Sequence, residues 1–138
     1  MKASIETSWK QNLAFDSMVG EHSVITDAPS EFGGDDSGAS PKKLMMASLA
    51  GCTGIDVVSI LKKMRVDIDD LRIRVDAELT DEEPSLYSSM HLTYMFKGDN
   101  LDMAKLEKAV RLSEEKYCGV SMMYKKMMDI TWEIKIQE

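Results

Sequence analysis

The sequence predicts an α+β domain with a mostly antiparallel sheet. Segments near both ends of the chain alternate apolar and polar residues, as half-buried strands do. A long apolar segment follows a serine-proline pair, and a second segment of helical spacing precedes the last alternating one. Strands in runs between helices are typical of α+β proteins. At 138 residues the chain has the length of one domain, so we expect one domain over residues 1–138.

The first 26 residues predict a three-stranded meander. Residues 3–9 alternate in the manner of a strand, and Lys10-Gln11-Asn12 can turn the chain. A second strand is expected from Leu13 to Val19. After a turn at Gly20-Glu21, a third is expected from His22 to Thr26.

A long loop and a central helix come next. Residues 27–40 are rich in Gly, Asp and Ser, and a loop of this length in a small domain is often functional. Ser40-Pro41 predicts a helix start, and the helix is expected to run to about Met64. Its apolar residues lie nearly all round, which indicates a central helix. Gly51 and Gly54 in its interior indicate close approach by another segment, since glycine there costs about 1 kcal/mol.

The second half of the chain predicts three more strands and two helices. Strands are expected at Leu71–Leu79, about Ser88–Lys97 and Ile130–Ile136. One helix is expected from Leu101 to near Cys118, and a shorter one over Ser121–Met128. The predicted order is therefore β-β-β-α-β-β-α-α-β.

Charge and composition exclude several function classes. The net charge is −7 and no basic run exceeds two residues, which argues against nucleic acid and anionic membrane surfaces. The apolar segment Leu44–Leu61 has nearly the length of a membrane span, but it contains Asp56 and two glycines, so we expect a buried helix. The N-terminus shows no leader pattern, and we expect a cytoplasmic protein with reduced thiols.

The two cysteines leave several interpretations open. Cys52, Cys118, His22 and His91 show none of the close spacings that zinc sites use, so we expect no metal site. The cysteines are either inert core thiols or a redox pair.

Several segments together carry a family resemblance. They are Gly33-Gly34-x-x-x-Gly38-x-Ser40-Pro41, the run Leu44 through Ala50-Gly51-Cys52-Thr53, Ile55-Asp56-Val57-Val58, and Ser113-x-Glu115-Lys116-Tyr117-Cys118. This set resembles the OsmC/Ohr family of osmotically induced and organic hydroperoxide resistance proteins, and most closely its OsmC-like branch. The resemblance spans nearly the whole chain.

The resemblance implies a fold, an assembly and an activity. It implies an intertwined homodimer, with sheets around two central helices and the cysteine pair at the dimer interface. Cys52 would attack a small organic hydroperoxide and Cys118 would resolve the sulfenic acid as a disulfide. No bound cofactor is implied. An external dithiol, such as a lipoylated protein, would reduce the pair again.

The sequence departs from the peroxidase members at two positions. Those members carry an N-terminal arginine paired with a glutamate just after the helix-opening proline. Here no arginine precedes Arg65, and Lys42 and Lys43 follow Pro41. Lys42 and Lys43 are therefore the candidate positive neighbours of the nucleophile, although lysine lacks the planar fork of arginine.

Two carboxylates are candidate supporting residues. Glu115 lies three residues before Cys118, so on a helix it would share that face, unless it is merely a solvated charge. Asp56 lies one turn past Cys52 and could orient a polar group or only bind water.

Two functions remain open from the sequence. One is a thiol-dependent peroxidase in oxidative-stress defence, and the other is a non-catalytic protein that binds an apolar ligand at the dimer interface. The pairs Met45-Met46, Met122-Met123 and Met127-Met128 would either line such a pocket or fill the core.

Overall fold

The computed structural model of the chain describes residues 1–137. The chain divides into two compact units, the first from Met1 to Met45 and the second from Met46 onward. The predicted α+β class and the predicted order of elements are confirmed. The expectation of a single domain stays a prediction, since the two units are each compact.

The first unit contains a three-stranded antiparallel meander. Strands β1 (Glu6–Gln11), β2 (Ala14–Val19) and β3 (His22–Thr26) pair in that order. Asn12 and Gly20 in the two turns have φ of 49° and 65°, a left-handed conformation that Asn and Gly tolerate best.

A buried carboxylate organises the loop that follows β3. Asp27 is 3% exposed, and it accepts hydrogen bonds from Ser37 Oγ at 2.6 Å, Ser37 N at 3.0 Å and Ala28 N at 2.7 Å. These bonds hold the pKa of Asp27 below its ordinary value, the Ser37 hydroxyl contributing most. Gly34 is required here, because a Cβ would lie 2.0 Å from the Ala28 carbonyl oxygen.

Helix α1 (Pro41–Lys63) matches the predicted bounds but is less covered than predicted. Its buried residues form one stripe at four-residue spacing, Leu49, Thr53, Val57 and Leu61. Ile55, about half a turn away, is 74% exposed. The single chain therefore covers one face of α1, and a helix buried all round stays a prediction for the dimer. By length and composition alone, α1 could also cross a membrane.

The second unit contains a mixed three-stranded sheet. Strand β4 (Asp70–Leu79) runs antiparallel to β5 (Tyr87–Lys97), and β6 (Asp129–Ile136) runs parallel to β5. The predicted inward face of β5 is confirmed, since Met90, Leu92, Tyr94 and Phe96 are fully buried. Gly54 of α1 packs on this sheet, where a Cβ would lie 3.2 Å from Ile73 Cδ1.

The predicted second helix is interrupted before its cysteine. Helix α2 (Met103–Leu112) is capped by Asp102, whose carboxylate accepts from Ala104 N at 3.0 Å. A π-helical turn, Ser113–Tyr117, follows. Helix α3 (Gly119–Lys125) begins after Cys118, which has an extended conformation with φ −80° and ψ 103°.

Candidate active site around Cys52 and Cys118

The fold brings the two cysteines together from distant parts of the sequence. Cys52 lies in the middle of α1 and is half-buried, and Cys118 lies between the π-helical turn and α3 and is buried. Both thiols are free. The two Sγ atoms and a carboxylate oxygen of Asp56 all lie within 4.8 Å of one another. Since an S–S bond is about 2.0 Å long, only a short movement separates the two sulfurs from a disulfide.

The two thiols have different electrostatic environments. Burial, and after it the hydrogen bond between Cys118 and Cys52, raise the pKa of Cys118 to about 12. Ser121 N donates to Cys118 Sγ at 3.3 Å, which opposes the shift. Cys118 is therefore a protonated thiol at neutral pH, and its S–H can donate to the Cys52 sulfur. That arrangement suits Cys52 as the nucleophile and Cys118 as the resolving thiol.

Asp56 belongs to the same cluster. It lies one turn after Cys52 on α1, is half-buried, and accepts a hydrogen bond from Ser113 Oγ at 3.0 Å. Its carboxylate therefore changes the charge that the cysteine pair experiences.

A buried polar network leads away from Asp56. Thr53 Oγ1 lies 2.8 Å from Ser113 Oγ and 2.7 Å from Tyr94 Oη. Glu114 accepts from Tyr94 Oη and from Ser121 Oγ, each at 2.7 Å. All five of these side chains are fully buried. Burial and the Glu114 charge raise the pKa of Tyr94, so its phenol stays neutral.

The structure places Glu114, and not the predicted Glu115, on the inner side of this segment. Glu115 is 64% exposed and faces Arg111 at 3.9 Å. The expectation that Glu115 shares the face of Cys118 assumed α-helical spacing. The π-helical turn bonds Cys118 N to Ser113 O, five residues back, and the residues of that turn face differently from those of an α-helix.

The predicted positive neighbours lie elsewhere on α1. Lys42 and Lys43 occupy its first turn and are exposed. Nearly three helical turns separate them from Cys52, or about 15 Å of helix axis.

A depression of about 470 Å³ lies beside the site. Its lining includes both polar and apolar residues: Asp56, Ser59, Ile60, Lys63, Leu112 and Tyr117. No methionine is among these lining residues, and the methionine-lined pocket expected at the dimer interface stays a prediction. Met122, Met123 and Met127 are 48%, 58% and 62% exposed, so they do not fill the core of the single chain either.

The cysteine cluster offers three donor atoms to a metal, namely two sulfurs and one carboxylate oxygen. A structural zinc site takes four Cys or His ligands, and the common catalytic ligand sets, His₃, His₂Glu and Cys₂His, each include a histidine. His91, the histidine of the second unit, contacts Thr131 and Glu133 on the strand surface. We therefore do not assign Cys52, Asp56 and Cys118 as metal ligands.

Comparisons with known proteins agree on one family. The family model described as OsmC-like protein matches residues 34–133. Protein YhfA of Escherichia coli is 35% identical over 132 residues, which cover 93% of each chain. A crystal structure of a hypothetical protein from Aquifex aeolicus is 30% identical, covers 100% of both chains and has a TM-score of 0.83. The organic hydroperoxide resistance protein OhrB of Bacillus subtilis has the same fold, with 21% identity, 98% of each chain covered and a TM-score of 0.68.

Proposed function

Because the chain belongs to the OsmC-like family, we propose that it is a thiol-dependent peroxidase that reduces small organic hydroperoxides in oxidative-stress defence. The observation that carries the proposal is the pair of free cysteines whose sulfurs lie within 4.8 Å, one half-buried and one buried with a raised pKa. The name of the Bacillus subtilis neighbour, an organic hydroperoxide resistance protein, supports the same chemistry.

The proposed reaction has two steps. The Cys52 thiolate attacks a peroxide oxygen, the O–O bond breaks, and the alcohol leaves after taking up a proton. Cys52 is now a sulfenic acid. The Cys118 thiol then attacks the Cys52 sulfur, the S–S bond forms, and water leaves with the sulfenic oxygen and the thiol proton. Two thiols are oxidised while one hydroperoxide is reduced to an alcohol and water.

The depression beside Asp56 suits the proposed substrate. Ile60 and Leu112 offer apolar contacts to an alkyl group, and Asp56, which also lines the depression, lies close to Cys52. This arrangement favours an organic hydroperoxide over hydrogen peroxide, which has no apolar part to bury.

The proposed assembly is the intertwined homodimer expected for this family. The exposed side of α1 supports it, since Ile55 is 74% exposed and a Cβ on Gly51 would meet nothing within 4 Å. A second copy on this side would cover the apolar residues and use the space at Gly51. The same packing is our account of why α1 is long and apolar without placing it in a membrane.

The proposed setting is the reducing cytoplasm, with no resident cofactor and no nucleic-acid or membrane partner. A buried disulfide must be reduced by a reagent that reaches it in two thiol exchanges. An external dithiol, such as a lipoylated protein, supplies both electrons without leaving a mixed disulfide.

The proposal is tested by hydroperoxide consumption in the presence of a small dithiol. We expect steady turnover by the parent protein and a background rate for Cys52→Ser. Cys118→Ser is expected to turn over more slowly than the parent, because its sulfenic acid is resolved only by the external dithiol. Equal turnover by Cys52→Ser and the parent would contradict the assignment of the nucleophile.

A second candidate function is a non-catalytic protein that binds an apolar ligand at the dimer interface. The positions of Lys42 and Lys43 favour it, since they are exposed in the first turn of α1 and nearly three turns from Cys52. A Cys52→Ser, Cys118→Ser double variant separates the two functions. The binder would hold an apolar fluorescent probe as tightly as the parent does, and the parent would show no turnover.

A further inference from the structure

Glu114 is a fully buried carboxyl group that the proposed reaction does not use. It is linked to Asp56 by three buried hydroxyl groups, those of Tyr94, Thr53 and Ser113, here named the hydroxyl chain. From Glu114 to Asp56 the successive oxygen–oxygen distances are 2.7, 2.7, 2.8 and 3.0 Å. All four are hydrogen-bond distances.

The contacts from Glu114 to Asp56 need one more hydrogen than the three hydroxyl groups of the hydroxyl chain supply. Four contacts in series require four hydrogens, and the hydroxyl chain supplies three. When both carboxyl groups are ionised, Tyr94 donates to Glu114 and Ser113 donates to Asp56. Thr53 then has one hydrogen for two short contacts. One of two buried oxygen pairs is left without a hydrogen, which is costly inside a protein.

A single proton on either carboxyl group satisfies every contact. If it sits on Glu114, each hydroxyl donates toward Asp56, which is ionised. If it sits on Asp56, each hydroxyl donates toward Glu114. The two arrangements differ only in the direction of the hydrogen bonds. A proton is therefore transferred from one carboxyl group to the other when every hydroxyl group of the hydroxyl chain reverses its donor direction.

We infer that Glu114 and Asp56 share one proton through the hydroxyl chain, so that buried Glu114 sets the charge of Asp56 beside the cysteine pair. The shared proton itself does not depend on the proposed peroxidase function, but its use in activating Cys52 does. When Cys52 ionises, its negative charge attracts the proton to Asp56, and Glu114 takes the negative charge into the interior. Two adjacent anions are thereby avoided without a proton from solvent.

The groups around the hydroxyl chain favour this transfer of the shared proton. Ser121 Oγ donates to Glu114 at 2.7 Å and stabilises its ionised form, while Lys125 Nζ donates to the Glu114 carbonyl oxygen at 2.5 Å. Tyr94 relays the proton as a neutral phenol, since burial raises its pKa. The titratable groups around the two carboxyls are Cys52, Cys118, Tyr94 and Lys125, together with Lys63 and Tyr117, which line the depression with Asp56. Tyr124 on α3 interacts electrostatically with Cys118.

The test is the pH dependence of Cys52 alkylation by iodoacetamide, a neutral reagent, in the reduced full-length protein. Glu114→Gln preserves the contacts, because its amide N–H can donate to Tyr94 while its oxygen accepts from Ser121. It cannot release a proton, so Asp56 stays ionised beside Cys52. We expect alkylation about ten-fold slower near neutral pH and a midpoint moved to higher pH, as a like charge at this distance requires.

A double-variant cycle distinguishes a shared proton from a merely structural effect. In an Asp56→Asn background, Glu114→Gln is expected to leave the alkylation midpoint unchanged, because the group through which it acts is gone. An unchanged or lower midpoint for Glu114→Gln alone would overturn the inference. An equal upward shift in both backgrounds would overturn it as well.

Two controls complete the experiment. Glu115→Gln removes the neighbouring exposed carboxylate and is expected to leave the midpoint in place, which excludes a general charge effect. Tyr94→Phe interrupts the hydroxyl chain and keeps both carboxyl groups. It can therefore replace Glu114→Gln in this test if that variant does not fold. Its midpoint is expected to rise, and a midpoint equal to that of the parent would overturn the inference. Because alkylation uses no hydroperoxide, the alkylation midpoints would still test the shared proton if the protein were not a peroxidase.

Discussion

Cys52 and Cys118 are the same residue type, and the different roles that we propose for them rest on their different surroundings. Cys118 is fully buried at the start of α3, and burial is the largest cause of its raised pKa. Cys52 is half-buried on α1 and receives the Cys118 hydrogen bond. Exposure and protonation state together separate a nucleophile from a resolving thiol.

This difference predicts selective alkylation of the reduced protein. The pKa of Cys118 rises from an ordinary 9.0 to about 12, so its thiolate fraction near neutral pH falls about a thousand-fold. Limited iodoacetamide is therefore expected to modify Cys52 alone, as read by peptide mass spectrometry. Cys118 is expected to react only after denaturation or as the pH approaches 12. Equal modification of both cysteines in the folded protein would contradict the assignment.

Part of the site can be predicted from residue types, and part depends on one irregular turn. Helical spacing places Asp56 one turn after Cys52, whereas the meeting of Cys52 with Cys118 was expected only from the family resemblance. Glu114 was missed because a charged side chain is seldom fully buried, so two adjacent glutamates are expected to face solvent. A signal was present, however. Glu114 continues the four-residue spacing of Leu106 and Val110, so a carboxylate occupies an apolar stripe.

The strands and helices follow closely from the sequence because their patterns are local. The bounds of β3 match the prediction, and those of α1 differ by about one residue. The internal order of the 27–40 loop was not predictable in the same way. It depends on Asp27 reaching Ser37, and on Gly34 passing the Ala28 carbonyl, which are tertiary contacts.

The loop predicts a pH-dependent effect of Asp27→Asn. The variant replaces an acceptor of three close N–H and O–H donors by an amide, so we expect a lower thermal unfolding midpoint than in the parent. The folded pKa of Asp27 lies below its ordinary value of 3.8. Its contribution is therefore present above pH 3.8 and is lost as the pH falls through the folded pKa.

Calorimetry of parent and variant at several pH values checks this prediction. The difference between their unfolding midpoints is expected to be constant near neutral pH and to narrow in acid. A difference that stays constant to the lowest pH would show that the carboxylate charge has no part in holding the loop.

At the scale of the whole molecule, α1 carries more apolar surface than a single chain covers. Leu49, Val57 and Leu61 are buried against the chain itself, whereas Ile55 is 74% exposed. A helix that is apolar all round is typical of a core with partners on every side. The sequence therefore predicts packing partners on every side of α1, and the single chain does not supply all of them.

We therefore expect a dimer, and we expect a charged residue on the exposed side of α1 to disrupt it. Sedimentation equilibrium is expected to give about twice the chain mass of 15.5 kDa for the parent. Ile55→Glu is expected to shift the protein toward monomer, because it would bury an unpaired carboxylate. Arg72→Glu, on a strand side chain that is 75% exposed, is a matched surface-charge control and is expected to stay dimeric. A parent mass near 15.5 kDa at micromolar concentration would contradict the dimer.

The central claim is that Cys52 and Cys118 form one redox pair, and peptide mapping after a stoichiometric dose of an organic hydroperoxide tests it most directly. The account predicts rapid loss of two thiols per chain and a single peptide pair joined through Cys52 and Cys118 of the same chain. Slow oxidation that leaves Cys118 as a free thiol, or that joins cysteines of different chains, would contradict it.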